Sequence, residues 1–442
     1  MTQKNPLVTG TLILTGAGFL TRILGFFNRI YLSQIIGAKE MGIYQLIFPV
    51  YMVCFALCCH GTELALSQMV AEFYAKEKKV DIRPLLFVSC LIFSSLGVLL
   101  SFSIFHYSDF ISLYFLKEES ASLSLKIMAP ILPFTALRCC LHGYYIGVKK
   151  TAVPALGQLL EQGIRIGAIW LCVHFLSLTE PSQFSGASLA VFGMVAGEVV
   201  STFFTLFCYE IQTKELRFPL FYERMSKGKL ACDLLRRTIP LTGNKLSLTL
   251  ISALEAVLIP HMLSFYYKDT DLALSMYGVL TGMSLPFILF PSTITNSLSV
   301  LLLPTISEAK AKNHTIAIQH TIKKTLKLCL TLGFLALIFF FFFGQRLGTY
   351  VFHNESAGDF LLILSFLCPF LYLSASGTSI LNGLGYLKET FVYNLLALLV
   401  RILFILLAVP VLGVQGYLVG LLFAYGVQVS LQMWKIYRVC FR

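Results

Sequence analysis

The chain has 442 residues, 57% of them hydrophobic and only 13% charged, with a net charge of +12 and a mean hydropathy of +0.79. A soluble domain carries about 25% charged residues, so a cytosolic enzyme and a secreted protein are both excluded. About twelve apolar stretches of 18 or more residues follow one another, at 7–31, 41–60, 84–106, 124–147, 151–176, 184–209, 238–260, 272–303, 321–345, 357–381, 389–411 and 413–434. Each is long enough to cross about 30 Å of hydrocarbon as a helix. The short segments between them leave no room for a sizeable soluble domain. The expected fold class is an all-α polytopic membrane protein of about twelve transmembrane helices.

Met1-Thr2-Gln3-Lys4 leads straight into the first stretch with no small-residue cleavage site. It reads as a retained helix rather than a signal peptide. Placing the N-terminus in the cytoplasm puts about 23 loop Lys and Arg on one side, among them Lys76 to Arg83, Lys214 to Arg237 and Lys310 to Lys327. About five fall on the other side: Lys39, Lys117, Lys126, Lys268 and Arg346. The positive-inside rule then expects both termini on the cytoplasmic face of a bacterial inner membrane. These short loops build no compact basic surface, so no nucleic-acid partner is expected. Most of the twelve cysteines, such as Cys54, Cys58, Cys59, Cys139, Cys140 and Cys172, lie within spans. There they read as small apolar filler, and no metal-type spacing with His occurs.

The chain carries an internal repeat at an offset of 236 residues. Glu72-x-x-Ala75-Lys76 recurs as Glu308-x-x-Ala311-Lys312, Leu159-Leu160 as Leu395-Leu396, and Arg165-Ile166 as Arg401-Ile402. Two six-helix lobes are expected, 1–209 and 238–442, joined by a basic cytoplasmic linker at 210–237. An even number of helices per lobe gives parallel repeats, with the substrate path between them. Pro49, Pro130, Pro133, Pro240, Pro286, Pro291 and Pro369 fall inside spans. They read either as packing kinks or as hinges between inward-open and outward-open states.

About nine ionisable residues remain inside the expected spans: Arg22, Arg29, Arg138, Arg165, Lys245 and Arg401, against Glu161, Glu198 and Glu255. Each costs about 2.5–3.5 kcal/mol at a helix centre, so each needs a cavity or a partner. Glu161 and Arg165 stand four apart on one helical face and are expected to pair. Pairing the other two acids still leaves three bases. Surplus guanidinium in an aqueous cavity attracts anions, and its fork matches phosphate oxygens in two-point contacts. Alternatives stay open residue by residue. Arg29, Arg138 and Lys245 either snorkel to an interface or line the cavity. Arg22 lies deep in the first span and reads as cavity-lining. Arg165 and Arg401 occupy equivalent places, with a structural or a binding role. Glu255 is either an arginine partner or an ion site. No G-x-x-x-x-G-K-[ST] occurs and no set of nucleophile, base and orienter stands out. The chain is therefore expected to be neither an ATP pump nor an enzyme, and to need no cofactor.

Thr21-Arg22-Ile23-Leu24-Gly25-Phe26-Phe27-Asn28-Arg29 resembles the opening of the MOP superfamily flippases, in particular the stage V sporulation protein B group and its lipid II flippase relatives. Gly42-Ile43-Tyr44-Gln45-Leu46, Ala65-Leu66-Ser67 and Val70-Ala71-Glu72 are similar to the same group. So are Tyr277-Gly278, Thr281-Gly282-Met283, Leu285-Pro286, Pro291 and Ile306-Ser307-Glu308-Ala309, and Glu255 falls where the group often has an acid. The resemblance implies two lobes around a V-shaped cavity. It also implies alternating-access export of a polyprenyl-diphosphate-linked saccharide or peptidoglycan precursor, in polysaccharide biosynthesis or sporulation. Arg22, Arg165 and Arg401 would be the first diphosphate ligands, with Arg29, Arg138 and Lys245 behind them, and Glu161, Glu198 and Glu255 as cavity acids or ion-coupling groups. Membrane lipid, cell-wall synthesis proteins and coupling to the membrane potential or a monovalent cation enter as expected partners. Two departures stand out: Asn28 takes the place of a second arginine, with Arg29 one residue later, and two further helices common in the group are missing from the pattern. The alternative is a MATE-type cation-coupled multidrug or toxin antiporter, whose cationic substrates would favour an acidic cavity. A third is a scaffold for cell-wall enzymes, which would give the buried arginines no purpose.

Overall fold

Inside hydrocarbon no water is present to satisfy backbone N–H and C=O groups, so an apolar chain of this kind must pair them within helices. A computed structural model of the protein describes residues 6–76, 81–176, 185–214, 226–312 and 314–441. Among these the regular elements are helices and there is no strand. Lys4 and the linker residues 215–225 lie outside the described residues.

The first helix, α1 (Pro6–Phe55), runs for 50 residues, about 75 Å at 1.5 Å per residue. It is broken once, at Gly37, with φ 77° and ψ 177°. Glycine adopts a positive φ at no steric cost, which a side chain would impose. The segment 32–40, expected as a loop, is therefore helical on both sides of a single residue. A π-helical turn at Ala56–His60 leads into α2 (Gly61–Ala75). The chain continues through α3 (Ile82–Phe110), α4 (Ala121–Met128), α5 (Ile131–Gly147), α6 (Ala152–Leu176), α7 (Gly186–Lys214) and α8 (Lys227–Tyr267). Then follow α9 (Thr270–Gly278), α10 (Leu285–Leu289), α11 (Ser292–Ala311), α12 (Thr315–Phe352), α13 (Glu355–Ser365), α14 (Cys368–Gly383), α15 (Leu387–Leu407), α16 (Val409–Leu412) and α17 (Val414–Cys440).

Among the described residues, eight helices are long and apolar enough to cross a membrane, ten if each of two bent pairs is one span. The gap from the twelve expected stretches has two sources. Thr15–Ala75 counts once, yet its 61 residues extend about 90 Å and contain two of those stretches. Helix α6 has 25 residues but carries Gln158, Glu161, Gln162 and Arg165, which dilute its hydropathy. The bent pairs turn by 41° between α4 and α5, at Pro130, and by 58° between α13 and α14, just before Pro369. A third break in the helical pattern, the π-helical Val279–Ser284, ends two residues before Pro286. Missing N–H donors at these prolines loosen the helical ladder where the chain turns.

Packing divides the chain into two compact units: Met1–Gly25 with Leu46–Ala253, and Phe26–Gln45 with Leu254–Arg442. These bounds differ from the expected 1–209, 210–237 and 238–442. Residues 26–45 join the second unit, and the first part of α8 joins the first.

In the first unit α5 packs on α2, α3 and α7, and α6 packs along α7. The core gathers Cys58, Cys59, Leu66, Leu85, Phe93, Cys140 and Tyr145, with the cysteines free and acting as small apolar residues. Glu72 on α2 and Arg237 on α8 form a two-point ion pair at 2.6 and 3.0 Å. In the second unit α12 packs on α13 and α14, α11 on α14, and α17 on α14 and α15. Ala38 closes against Gly278, where a Cβ would stand only 2.1 Å from the Ala38 carbonyl oxygen. Lys39 and Asp271 pair at 2.7 Å beside that contact, both largely exposed. Of the run Phe339 to Phe343, only Phe340 is buried and the other four are exposed.

Candidate functional site

Among the described residues, each unit holds a buried cluster of charged side chains. In the first, three helices supply it: α5 brings Arg138, α6 brings Glu161 and Arg165, and α7 brings Glu198. Arg138 donates from Nε and Nη2 to the two carboxylate oxygens of Glu198, both at 2.7 Å. Its Nη1 lies 3.2 Å from Glu161 Oε2, and the other Glu161 oxygen accepts from Arg165 Nη2. The result is an alternating chain, Glu198–Arg138–Glu161–Arg165, in which each inner member serves two partners. Side-chain exposure rises along it from 2% at Glu198 to 17% at Arg165. A bidentate guanidinium–carboxylate pair is among the stronger charge-assisted hydrogen bonds, and here it ties α5 to α7.

Close helix approach makes this geometry available. Gly197 on α7 stands against α6, where an added Cβ would lie 2.5 Å from the Glu161 carbonyl oxygen. One turn beyond Arg138, His142 is buried and its Nε2 has no hydrogen-bond partner. Gln162 Oε1 and Arg165 Nε are also buried without partners.

In the second unit the centre is smaller. Arg401 on α15 approaches Glu255 on α8 at 3.3 Å, and the Tyr417 hydroxyl on α17 donates to the same carboxylate oxygen at 3.2 Å. The Arg401 guanidinium also lies over the Tyr425 ring at 5.9 Å, a cation–π distance. Neighbouring polar contacts in this unit are neutral: Gln432 donates to Thr378 at 3.0 Å and Gln428 to Asn394 at 2.7 Å.

The nine sequence-predicted site residues thus divide. Six are consumed in the two centres, with equal numbers of acids and bases: Arg138, Arg165 and Arg401 against Glu161, Glu198 and Glu255. The snorkelling alternative for Arg138 is corrected by its burial and its two carboxylate partners. For Glu255 the arginine-partner alternative is the one the contacts match. The remaining three stand apart from the centres: Arg22 and Lys245 are exposed and Arg29 is half-buried. Arg22 is one turn from Gly25, beside which Gln162 Oε1 comes within 4.0 Å of where a Cβ would be. Sequence reasoning missed Gln162, Tyr417 and Tyr425. Nothing in their local pattern separates them from the many other polar and aromatic residues of the spans. Among the described residues no group of three or more His, Cys, Asp or Glu is arranged to hold a metal ion.

Comparison with known proteins places this arrangement. The polysaccharide biosynthesis protein family matches residues 7–310, well over half of the chain. The chain belongs to the polysaccharide biosynthesis protein family. Stage V sporulation protein B of Bacillus subtilis (strain 168) is 26% identical over 416 residues, covering 93% of this chain and 80% of its own length. Two solved structures share the fold of this polysaccharide biosynthesis protein. The inward-facing conformation of a multidrug resistance MATE family transporter of the MOP superfamily aligns with TM-score 0.74 and 15% identity, covering 95% of this chain and 94% of that one. The inward closed conformation of lipid II flippase MurJ aligns with TM-score 0.71 and 17% identity, covering 96% of this chain and 87% of that one. At these identities the structural matches establish the fold alone: a multi-pass helical bundle shared with these two membrane proteins.

Proposed function

We propose that this polysaccharide biosynthesis protein is an alternating-access flippase. Its cargo would be a polyprenyl-diphosphate-linked saccharide or peptidoglycan precursor, moved from the cytoplasmic to the outer leaflet of the bacterial cytoplasmic membrane. The observation that carries this reading is the charge balance. The arginines of both buried centres are paired with carboxylates, whereas Arg22 and Lys245 are exposed bases outside those pairs, on a chain whose net charge is +12. An excess of cation suits a diphosphate and opposes a cationic drug. Family membership and the likeness to stage V sporulation protein B and the lipid II flippase support the same cargo class.

In this reading Arg22 and Lys245 of the first unit contact the diphosphate. Arg138, Arg165 and Arg401 act behind them, holding helices in place through Glu161, Glu198 and Glu255. Transport needs no covalent chemistry from the protein. With both termini in the cytoplasm, the bias of basic loops is accounted for. An outside-positive membrane potential assists export of negative headgroup charge by about 2.3 kcal/mol per charge per 100 mV.

Native mass spectrometry of the detergent-purified protein tests this, with polyprenyl-diphosphate saccharides including lipid II, a polyprenyl monophosphate and a lipophilic cationic dye offered in parallel. Selective retention of the diphosphate lipid, weakened by Arg22→Gln, is the expected result. Retention of the dye without the diphosphate lipid would overturn the flippase reading in favour of a cation antiporter.

A further inference from the structure

A cleft of about 350 Å³ lies between α11 and α12 in the second unit, away from the Glu255–Arg401 centre in sequence and lining. Its residues segregate by polarity along its length. Leu298, Leu302 and Leu328 line one end and Thr305, His320, Thr321 and Lys324 the other, with Thr325 between them along α12. Helix α11 ends at Ala311 and α12 begins at Thr315, so the polar group is the one nearer the connection. Eight residues separate His320 from Leu328, about 12 Å along the helix. The cleft therefore has a cationic, hydroxyl-lined mouth near the helix ends and a mainly apolar floor farther along the two helices. That is the polarity profile of one lipid molecule.

The basic character of this end is concentrated at one side chain. Lys310 donates to the Leu384 carbonyl oxygen at 2.5 Å, Lys312 pairs with Glu308, and Lys323 sits 5.2 Å from the Phe441 ring centroid. Lys324 is exposed and lines the cleft. An ammonium, an imidazole and the Thr321 hydroxyl offer donors at one spot to phosphate oxygens, while a neutral or cationic headgroup would forgo the charge term.

We propose that this cleft holds one anionic phospholipid of the cytoplasmic leaflet. Its phosphate lies against Lys324, His320, Thr305 and Thr321, and its acyl chain along Leu302, Leu298 and Leu328. The choice of leaflet rests on the orientation proposed above; the choice of ligand rests on the cleft itself. Such a lipid would be a resident of the second unit, separate from any transported cargo.

The test is native mass spectrometry of the full chain with phosphatidylglycerol and phosphatidylcholine of identical acyl chains. The wild type, Lys324→Gln, Lys327→Gln and Arg22→Gln are compared. Lys327 is exposed one turn away and does not line the cleft, so it controls for diffuse basic attraction. One phosphatidylglycerol should be retained in preference, and Lys324→Gln should lower that retention roughly fivefold, the loss of one surface lysine's attraction. Lys327→Gln and Arg22→Gln should leave it unchanged. Equal retention of the two lipids, or equal losses in the Lys324 and Lys327 variants, would overturn the site. Displacement of the phosphatidylglycerol by excess polyprenyl diphosphate would also overturn it, by assigning the cleft to cargo. Because the readout is retention of phosphatidylglycerol rather than of a diphosphate lipid, failure of the flippase reading leaves it intact.

Discussion

The two units solve one problem with different amounts of charge. The first buries four ionised groups from three helices in an alternating chain, and Arg138 sits at its centre with both hands occupied. The second buries two, adds a tyrosine hydroxyl to the carboxylate and an aromatic ring beneath the guanidinium, and uses neutral amides elsewhere. Arg165 and Arg401 occupy corresponding positions of the repeat, yet one pairs within its own helix and the other across to α8. The repeat has kept the cation and rewired its partner. A multiply bridged charge network should be rigid and intolerant of loss, because removing one member strands several. A two-member pair with a neutral donor beside it should be more forgiving.

The largest effect is expected from Arg138→Gln, which leaves Glu198 and Glu161 buried without their shared cation. A loss of about 3–5 kcal/mol is expected, read as a large drop in melting temperature in detergent by intrinsic fluorescence. Arg138→Lys should recover only part of it, since an ammonium cannot supply the two-point contact. A melting curve for Arg138→Gln that overlays the wild type would break the claim that this centre is structural. Arg401→Gln should cost less, about 2–3 kcal/mol, because Tyr417 still donates to Glu255. Adding Glu255→Gln to that variant should restore part of the loss. Strictly additive melting shifts in the double-mutant cycle would show that the two side chains are not coupled.

Gly197→Ala places a methyl group into the α6–α7 contact and should cost about 1–3 kcal/mol through overpacking. Its signature would be a lowered melting temperature without any new sensitivity to salt. The smallest effect belongs to Lys39→Gln. Lys39 and Asp271 are 43% and 63% exposed, and such surface pairs are worth below about 1 kcal/mol. A melting shift as large as that of Arg401→Gln would show that the α1–α9 contact depends on charge rather than on the fit of Ala38 against Gly278.

Much of the fold was legible because hydropathy and length act locally. The expected stretches fall on helices, with α3 and α12 lengthened at both ends and the bent pairs each covering one stretch. Glu161–Arg165 was legible for the same reason, since four residues along a helix fixes a shared face. Arg138–Glu198 is 60 residues apart and Glu255–Arg401 is 146, and no periodicity within one segment ties such pairs together. Nor does the sequence tell which bases are buried against acids, because burial of Arg138 depends on α2, α3 and α7 packing around α5. The 32–40 segment falls between two expected apolar stretches, whereas in the structure Gly37 alone interrupts the helix.

That interruption bears on how the protein is made. Residues 26–45 belong with residues 254–442, so a segment synthesised near the start completes a body whose other helices emerge some two hundred residues later. At ordinary elongation rates this is a wait on the order of 10–40 s. During that interval the stretch from Phe26 to Gln45 must be held by lipid or by the insertion machinery. A nascent chain halted after Ala253 would carry it as an orphan, a natural handle for quality control to recognise an unfinished product.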